Sequence, residues 1–227
     1  MPAHFDGFGP QVFAWFTGLE SDNTKAYFTA TRELYENEVR GGLEALLDEL
    51  GAELEGTPRV FRQQRDLRFT PDKTPYKTRT YGVVQGVPWA SAGLYAELSA
   101  HGLYAGSGLY QLASDQLERY RSAVDDDAKG DALAAAVAAA TDAGLRIDGG
   151  SLKTAPRGYP RDHPRIELLR RRGLIAGLRL APTEAGIGRD AALAHVGDTW
   201  LAARPLTAWL AEHVGPTTLP VRGRAAR

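Results

Sequence analysis

The chain contains no cysteine, and this absence removes several kinds of site at once. A disulfide framework, a thiolate zinc site, an iron–sulfur cluster and a cysteine nucleophile all require that residue. The five histidines show neither a His-x-His nor a His-Glu-x-x-His spacing, which disfavours a zinc hydrolase. The sequence therefore specifies no metal and no cofactor.

Long hydrophobic runs are also lacking. The longest run of small apolar residues covers positions 132–140, which is too short to cross a bilayer about 30 Å thick. The N-terminal residues show no basic segment followed by an apolar stretch, so no secretory signal is readable. We expect a cytoplasmic protein that has no membrane partner.

The composition of the 227 residues is typical of a folded protein, with 43% hydrophobic and 24% charged residues. This length fits one large domain, which we place at residues 1–215. Residues 216–227 are rich in proline, glycine and arginine and predict a flexible tail. The pattern does not specify an oligomeric state.

Charge is segregated along the chain although the net charge is only −1. Residues 59–79 and residues 153–172 each carry seven basic and two acidic side chains, whereas residues 36–55 carry seven acidic side chains and one arginine. A protein whose whole surface is adapted to nucleic acid would be strongly basic. The net charge therefore disfavours, but does not remove, a nucleic acid partner.

The periodicity of apolar residues predicts an α+β fold, in which a central antiparallel sheet is flanked by N-terminal and C-terminal helices. Gly41 and Gly42 predict a kink or break in the second helix, and the last segment, which contains Pro205, is predicted as one helix or as two that the proline separates. The predicted helices cover residues 10–19, 24–50, 115–124, 127–143, 163–172 and 190–214. The predicted strands cover residues 59–69, 80–87, 89–100, 102–112, 145–147 and 174–180.

The densest cluster of charge lies at positions 62–79. If this segment begins as a strand, alternation turns Arg65 toward the apolar side, where its guanidinium must pair with a protein carboxylate or a ligand anion. Pro71 and Pro75 restrict the backbone and predict a stiff loop with displayed side chains. The candidate ligand-binding residues are Arg62, Arg65, Arg68, Tyr76, Lys77 and Arg79, and the candidate catalytic residues are Asp66, which would orient an arginine, Asp72 as a base, and Lys73.

A second candidate segment lies in the Gly- and Pro-rich loop at positions 148–164. Lys153 and Arg157 are four residues apart, beside a turn that contains Pro156 and Gly158, and Tyr159 follows. We expect Lys153, Arg157 and Tyr159 to form a second wall of the cleft that the first segment lines.

These segments resemble a widely distributed bacterial and fungal family of conserved proteins, domain of unknown function 2461. The resemblance rests on Arg65-Asp66-Leu67-Arg68-Phe69, then on Asp72-Lys73-Thr74-Pro75-Tyr76-Lys77, and on a second signature at residues 152–159. Near the start, residues 22–28 and Tyr35 are similar to the family's Asn-rich turn and aromatic pair. The resemblance extends across most of the chain and implies no particular reaction.

The leading hypothesis is a basic cleft for a small anionic ligand bearing phosphate or carboxylate. Any catalysis there would rest on electrostatic stabilisation of negative charge by the cations, with Asp72 as the base. One alternative is a nucleic-acid-binding module in which Phe69, Tyr76 and Tyr159 stack on bases. The other is a structural or partner-binding protein in which the charged motif is an internal ion-pair network.

Overall fold

The computed structural model describes residues 5–68 and 71–220 and confirms the α+β fold class. The helices are α1 (Pro10–Ser21), α2 (Lys25–Ala30), α3 (Arg32–Leu34), a π-helical segment (Tyr35–Arg40), α4 (Gly41–Glu53), α5 (Ser114–Asp125), α6 (Asp127–Asp142), α7 (Ile166–Leu169) and α8 (Arg189–His213). The strands are β1 (Gly7–Phe8), β2 (Thr57–Val60), β3 (Arg79–Gln85), β4 (Leu94–Ser99), β5 (Gly102–Leu109), β6 (Arg146–Asp148), β7 (Leu174–Leu180) and β8 (Ile187–Gly188).

The strands form a six-stranded antiparallel sheet in the order β2-β3-β4-β5-β7-β6 and a two-stranded sheet of β1 and β8. The chain divides into two compact units. The first comprises Met1–Pro88, Gly93–Gly106 and Gly177–Leu201, and the second comprises Trp89–Ala92, Ser107–Ala176 and Ala202–Arg227. A single domain over residues 1–215 stays a prediction.

The core of the first unit lies between one face of the strands and the helices. α4 packs on β2 and β3, and α1 packs on β4. The strand residues on this side are buried and small or aliphatic, and they include Val84, Leu94, Ala96 and Leu98. Alternation along β3 and β4 places polar and aromatic side chains on the opposite face. That second face carries the candidate site.

The predicted long helix over residues 24–50 is instead a series of short helical segments. A π-helical segment precedes α4, and the N–H of Gly41 donates to the carbonyl oxygen of Glu36 to close its wide turn. A Cβ at position 41 would lie 2.9 Å from that oxygen. Gly41 therefore permits the wide turn at the position where we predicted a kink or break.

The predicted strand over residues 59–69 is shorter in the structure. β2 ends at Val60, and the N–H of Phe61 still donates to the carbonyl of Tyr81 at 3.0 Å. Residues 62–68 then leave the sheet, so Arg65 is placed by a loop rather than by strand alternation. Residues 69 and 70 lie outside the described residues.

The C-terminal half differs from the prediction in one helix, since the predicted helix at residues 163–172 is reduced to α7. Of the two alternatives for the last segment the single helix is the one found, and α8 continues through Pro205. A proline at position 205 deprives only the carbonyl of Leu201 of its helical donor, and Leu201 is exposed. The buried side chains of Leu206, Trp209 and Leu210 follow the proline, and their packing favours continuation of the helix.

The first residues of the predicted tail make specific hydrogen bonds. The carbonyl of Pro216 accepts from Arg119, and the hydroxyl of Thr217 and the N–H of Thr218 donate to Asp115 at 2.7 and 2.8 Å. The donated hydrogen bonds hold the pKa of Asp115 below its usual value. Residues 216–218 are thus anchored to α5, and residues 221–227 lie outside the described residues.

Candidate functional site

A polar pocket of about 840 Å³ lies in the first unit, between the loop at residues 61–78 and the strand face opposite the helices. We call it the sheet–loop pocket. Its lining residues are Glu20, Asn23, Arg65, Asp66, Asp72, Thr74, Tyr76, Lys77, Thr78, Arg79, Tyr81, Glu97, Ser99, His101 and Arg179.

The loop that forms one wall is held in a hairpin-like shape by its own backbone. Gln64 and Tyr76 form an isolated antiparallel bridge, and the N–H of Arg65 donates to the carbonyl of Pro75 at 2.9 Å. The buried side chain of Gln63 donates to the carbonyl of Lys77 and accepts from the hydroxyl of Thr80. These contacts join residues 63–65 to residues 75–80 at the base of the loop.

Tyr76 fastens the same loop to the helices. Its backbone N–H donates to Asn23 Oδ1 at 3.0 Å, and its carbonyl accepts from Asn23 Nδ2 at 3.0 Å. The Tyr76 ring is only 8% exposed and stacks on Phe28, with the two ring centroids 4.2 Å apart. Tyr76 is thus an anchor whose ring is already covered, so it offers no free face to a ligand ring.

Two ion pairs use both acidic side chains of the loop and two of its five basic ones. Arg65 donates to Asp72 and to Thr74. Asp66 accepts two hydrogen bonds from the Arg68 guanidinium, at 2.9 and 2.6 Å, and so orients that arginine. Both pairs are partly open to solvent, with 54% of the Asp72 side chain and 74% of the Arg68 side chain exposed, so the internal ion-pair network stays a prediction.

The pairing also lowers the basicity of both carboxylates. Hydrogen bonds from Arg65, from the N–H of Thr74 and from its hydroxyl lower the pKa of Asp72 to about 2. The Arg68 guanidinium holds the pKa of Asp66 well below its usual value. A carboxylate that is so weakly basic is a poor proton acceptor near neutral pH. The geometry gives no support to Asp72 as a general base.

Three other candidates of the first segment lie outside the lining of the pocket. Lys73 Nζ donates to the carbonyl of Leu67 at 3.0 Å, and Arg68 is exposed beside Asp66. The side chain of Arg62 is exposed as well, while its backbone carbonyl accepts from Lys77 Nζ. The structure therefore brings Arg65, Asp66, Asp72, Tyr76, Lys77 and Arg79 to the pocket, and not Arg62, Arg68 or Lys73.

The opposite wall is built around Glu97, a residue that the sequence analysis missed. Glu97 lies on β4 with a side chain only 7% exposed. Its Oε1 is 3.1 Å from Arg179, and its Oε2 is 3.5 Å from Arg79 and accepts from the Tyr95 hydroxyl at 2.6 Å. One buried carboxylate thus fixes guanidinium groups from β3 and β7.

The strand register explains why these groups meet. Arg79 lies opposite Ser99, and Tyr81 lies opposite Glu97, so alternate residues of β3 and β4 share the pocket face. Arg179 also donates to the Ser99 hydroxyl at 2.9 Å and lies over the Tyr104 ring. The signal that could have revealed this wall is the presence of Glu97 and Arg179 within otherwise apolar strand patterns.

Lys77 differs from the other cations of the pocket. Its Nζ lies 4.9 Å from the centroid of the Tyr81 ring, and no carboxylate in the described part of the chain lies within salt-bridge distance of it. Burial, together with the nearby charges of Arg62 and Arg79, lowers its pKa below the usual value for lysine. Lys77 therefore brings to the pocket a positive charge that has no ion-pair partner among the described residues.

Aromatic rings cover the same strand face in a row. The centroid distances are 5.1 Å between Phe61 and Tyr81, 5.6 Å between Tyr81 and Tyr95, and 6.1 Å between Tyr95 and Tyr104. Arg59 lies over the Phe61 ring at one end of the row. At these separations the rings pack against one another, which leaves no gap for a base between them.

The second candidate segment belongs to the second unit. The side chains of Lys153 and Arg157 are exposed, and the carbonyl of Lys153 accepts from Arg170 at 3.0 Å. The ring of Tyr159 packs edge-on against His163, and burial raises the pKa of its hydroxyl. That these three residues share a cleft with the first segment stays a prediction.

Neither a metal centre nor a membrane span is found in the part of the chain that the structure describes. Within residues 5–68 and 71–220, no group of three or more histidine and carboxylate side chains is arranged to hold a metal ion. None of the helices described there combines the length and the apolar character that a membrane span requires.

Fold and pocket together define an α+β protein with a polar pocket lined by paired and unpaired charges. The sequence profile of the conserved hypothetical protein family DUF2461 matches residues 11–209, and the chain belongs to this family. No curated protein and no solved structure gives a significant match to the chain. The family assignment confirms the resemblance seen in the two charged signatures.

Proposed function

We propose that the sheet–loop pocket binds a small anionic ligand bearing phosphate or carboxylate, and that the protein does so in the cytoplasm. The observation that carries this proposal is that Arg79 and Arg179 share the one carboxylate of Glu97, while Lys77 lines the same pocket. The two arginines carry one more positive charge than Glu97 can neutralise, and a bound anion would compensate it.

The proposal assigns ligand binding to fewer residues than the sequence did. Arg65 and Arg68 each have a carboxylate partner in the loop, so binding a ligand would require breaking an existing ion pair. Arg79 is 61% exposed and lies at 3.5 Å from Glu97, which leaves most of its five N–H donors for a ligand. Lys77 uses one of its three donors on the carbonyl of Arg62.

The same contacts support binding more strongly than proton transfer. The hydrogen bonds that lower the pKa of Asp72 make it a weak proton acceptor, and Glu97 is engaged by two arginines and a tyrosine. If the pocket has a catalytic role, stabilisation of negative charge by Arg79 and Arg179 is the chemistry these residues would supply.

The nucleic acid alternative receives less support from the pocket. The Tyr76 ring is stacked on Phe28, and the rings of Tyr81 and Tyr95 pack on neighbouring rings, so no stacking platform is free among them. The ion pairs in the loop are compatible with anion binding, because they involve Arg65 and Arg68, whereas Lys77, Arg79 and Arg179 are the cations assigned to the ligand.

Isothermal titration calorimetry with inorganic phosphate tests the proposal. Wild-type protein should give a saturable one-site isotherm, and Lys77→Ala should weaken binding about tenfold or more. Lys25→Ala is the matched control because it removes the same charge from an exposed site on α2 that does not line the pocket. Equal weakening by both variants, or no saturable binding by the wild type, would overturn the proposal.

A further inference from the structure

Lys77 differs from the other lysines of the chain in its surroundings. Its side chain is partly buried and lines the sheet–loop pocket. Its Nζ lies 4.9 Å from the centroid of the Tyr81 ring and donates to the carbonyl of Arg62, and no carboxylate of the described residues forms an ion pair with it. The remaining lysines are exposed to solvent, and they are Lys25, Lys73, Lys129 and Lys153.

The amine of Lys77 lies on the same strand face as the two arginines assigned to the ligand. Arg79 and Tyr81 are two residues apart on β3, so their side chains share a face at a spacing of about 7 Å along the strand. Tyr81 lies opposite Glu97, whose two oxygens hold Arg79 and Arg179. Because the Lys77 amine lies over the Tyr81 ring, it faces the same pocket as both guanidinium groups.

We propose that Lys77 forms an imine with the ligand of this pocket, and that the ligand is an aldehyde or ketone bearing a carboxylate or a phosphate. Arg79 and Arg179 hold its anionic group, and the amine reacts with its carbonyl carbon. The inference rests on the proposed function, because it adds a reacting group to the same anion-binding pocket and narrows the class of ligand.

The proposed step conserves all atoms and needs no oxidant or reductant. The lone pair of the neutral amine attacks the carbonyl carbon, a C–N bond forms, and the electron pair of the C=O π bond moves to the oxygen. Transfer of one amine proton to that oxygen gives a carbinolamine. The C–O bond then breaks, and the hydroxyl group leaves with the second amine proton as water. The products are an imine and one water molecule.

Two features of the site favour this step. Burial and the nearby charges of Arg62 and Arg79 lower the pKa of Lys77, so its nucleophilic neutral form is more abundant than it would be at the ordinary pKa of lysine. The neutral amine can keep its hydrogen bond to the Arg62 carbonyl, because one N–H suffices for that bond and the lone pair stays free. The carbonyl group thus meets an amine that is both oriented and easier to deprotonate.

Binding of the anionic group makes the reaction selective for one lysine. A ligand held by the arginines presents its carbonyl to Lys77 at a high local concentration. A neutral carbonyl compound lacks that attachment and meets the exposed lysines at least as readily. Preferential reaction at Lys77 is therefore the property that distinguishes an imine-forming amine from a lysine that only balances the charge of the ligand.

Reductive trapping of the full-length protein tests the inference. The protein is incubated near neutral pH with dihydroxyacetone phosphate or with pyruvate, and sodium cyanoborohydride reduces any imine to a stable secondary amine. Mass spectrometry of the digested protein then locates the added group. We expect at least one probe to modify Lys77 about tenfold or more faster than any exposed lysine. The probe that reacts identifies the anionic group as phosphate or carboxylate.

Controls separate the pocket from general lysine reactivity. Dihydroxyacetone and acetone, which lack the anionic group, should show no preference for Lys77. Inorganic phosphate should slow trapping at Lys77 and leave trapping at Lys25 unchanged, because Lys25 does not line the pocket. Lys77→Arg keeps a positive charge without a nucleophilic amine and should lose the modification, whereas Lys25→Arg should retain it at Lys77. If Lys77→Arg does not fold, the peptide map of the wild type still locates the reacting lysine.

Three outcomes would overturn the inference. Equal modification of Lys77 and the exposed lysines by both probes would do so, as would preferential trapping at Lys77 that phosphate does not slow. A saturable phosphate isotherm without preferential trapping would overturn the imine and leave the proposed anion site intact. The absence of both phosphate binding and trapping would overturn the proposed function as well.

Discussion

Asn23 makes two hydrogen bonds to one residue, and both reach the backbone of Tyr76. A side-chain amide that accepts from an N–H and donates to a carbonyl mimics the pairing of a neighbouring strand. It is the direct link between the helical region and the pocket loop, and the stacking of Tyr76 on Phe28 reinforces it. The loop wall therefore depends on a residue 53 positions away in sequence.

We expect Asn23→Ala to lower the free energy of unfolding by about 1–3 kcal/mol, because two partly buried backbone groups of Tyr76 lose their partners. Asn23→Asp keeps the acceptor and loses the donor, so its effect should be intermediate. Urea denaturation monitored by tryptophan fluorescence measures both. An Asn23→Ala variant that unfolds at the same urea concentration as the wild type would show that Asn23 does not anchor the loop.

Asp72 gives a second prediction, through its ion pair with Arg65. The pKa of Asp72 is about 2, and carbon-13 NMR of the carboxyl group should detect this value directly. Arg65→Ala should raise the pKa of Asp72 toward its ordinary value of 3.8, whereas Arg59→Ala should leave it unchanged because Arg59 lies over Phe61.

The sign of the associated pH effect follows from the lowered pKa. A carboxylate with a depressed pKa stabilises the folded loop above about pH 4, and this contribution is lost as the pH falls toward 2. An Asp72 carboxyl that titrates near 3.8 in the wild-type protein would show that the pair with Arg65 does not form in solution.

The close packing of α4 on β3 depends on a glycine in the middle of the strand. A Cβ at position 82 would contact the side chain of Leu47 and would lie 2.9 Å from the backbone oxygen of Arg59. Since the oxygen belongs to β2, the backbone would have to move to make room. The register that sets Tyr81 beside Glu97 is thus tied to Gly82.

Gly82→Ala should lower the free energy of unfolding by about 1–3 kcal/mol, as overpacking of a core does. Gly188→Ala is the control, because no atom lies within 4 Å of the added Cβ and the change should be within about 0.5 kcal/mol. Both values come from chemical denaturation. Equal effects of the two variants would contradict the close approach of helix and strand.

The periodicity of apolar residues predicted most helices and strands, and it failed where tertiary contacts determine the local structure. α1, α5, α6, β3 and β7 follow the apolar patterns closely, because each buries one continuous face. The loop at residues 61–78 was predicted to start as a strand, because its residues alternate as strand residues do. Local alternation cannot reveal that Asn23 and Gln63 form hydrogen bonds with the backbone of this loop. The π-helical turn before Gly41 likewise has no signature in a 3.6-residue pattern.

The residues of the pocket were predicted only in part, again because tertiary contacts are not visible in the sequence. The charged motif showed Lys77 and Arg79, but it also drew attention to Arg65, Arg68 and Asp66, whose charges are used within the loop. Glu97 and Arg179 come from strands distant in sequence, and only the register of the sheet brings them together. The composition of a motif cannot show which of its charges are already paired.

The near-neutral chain leads to a prediction about polymers. With a net charge of −1, the protein should not bind an unphosphorylated ten-residue deoxythymidine oligonucleotide at moderate salt. Fluorescence anisotropy from low to moderate salt measures this. Tight binding that falls steeply and linearly with the logarithm of salt concentration would favour the nucleic acid alternative.

The location of the bound anion is the most direct test of the account. Titration of nitrogen-15-labelled protein with inorganic phosphate, monitored on side-chain arginine and lysine resonances, should shift Lys77, Arg79 and Arg179 together with one dissociation constant. Arg68, which is exposed and paired with Asp66 outside the pocket lining, should not move. Shifts of equal size at Arg68 and Arg179, or no saturable shift at Arg79 and Arg179, would contradict the assignment of the pocket as the binding site.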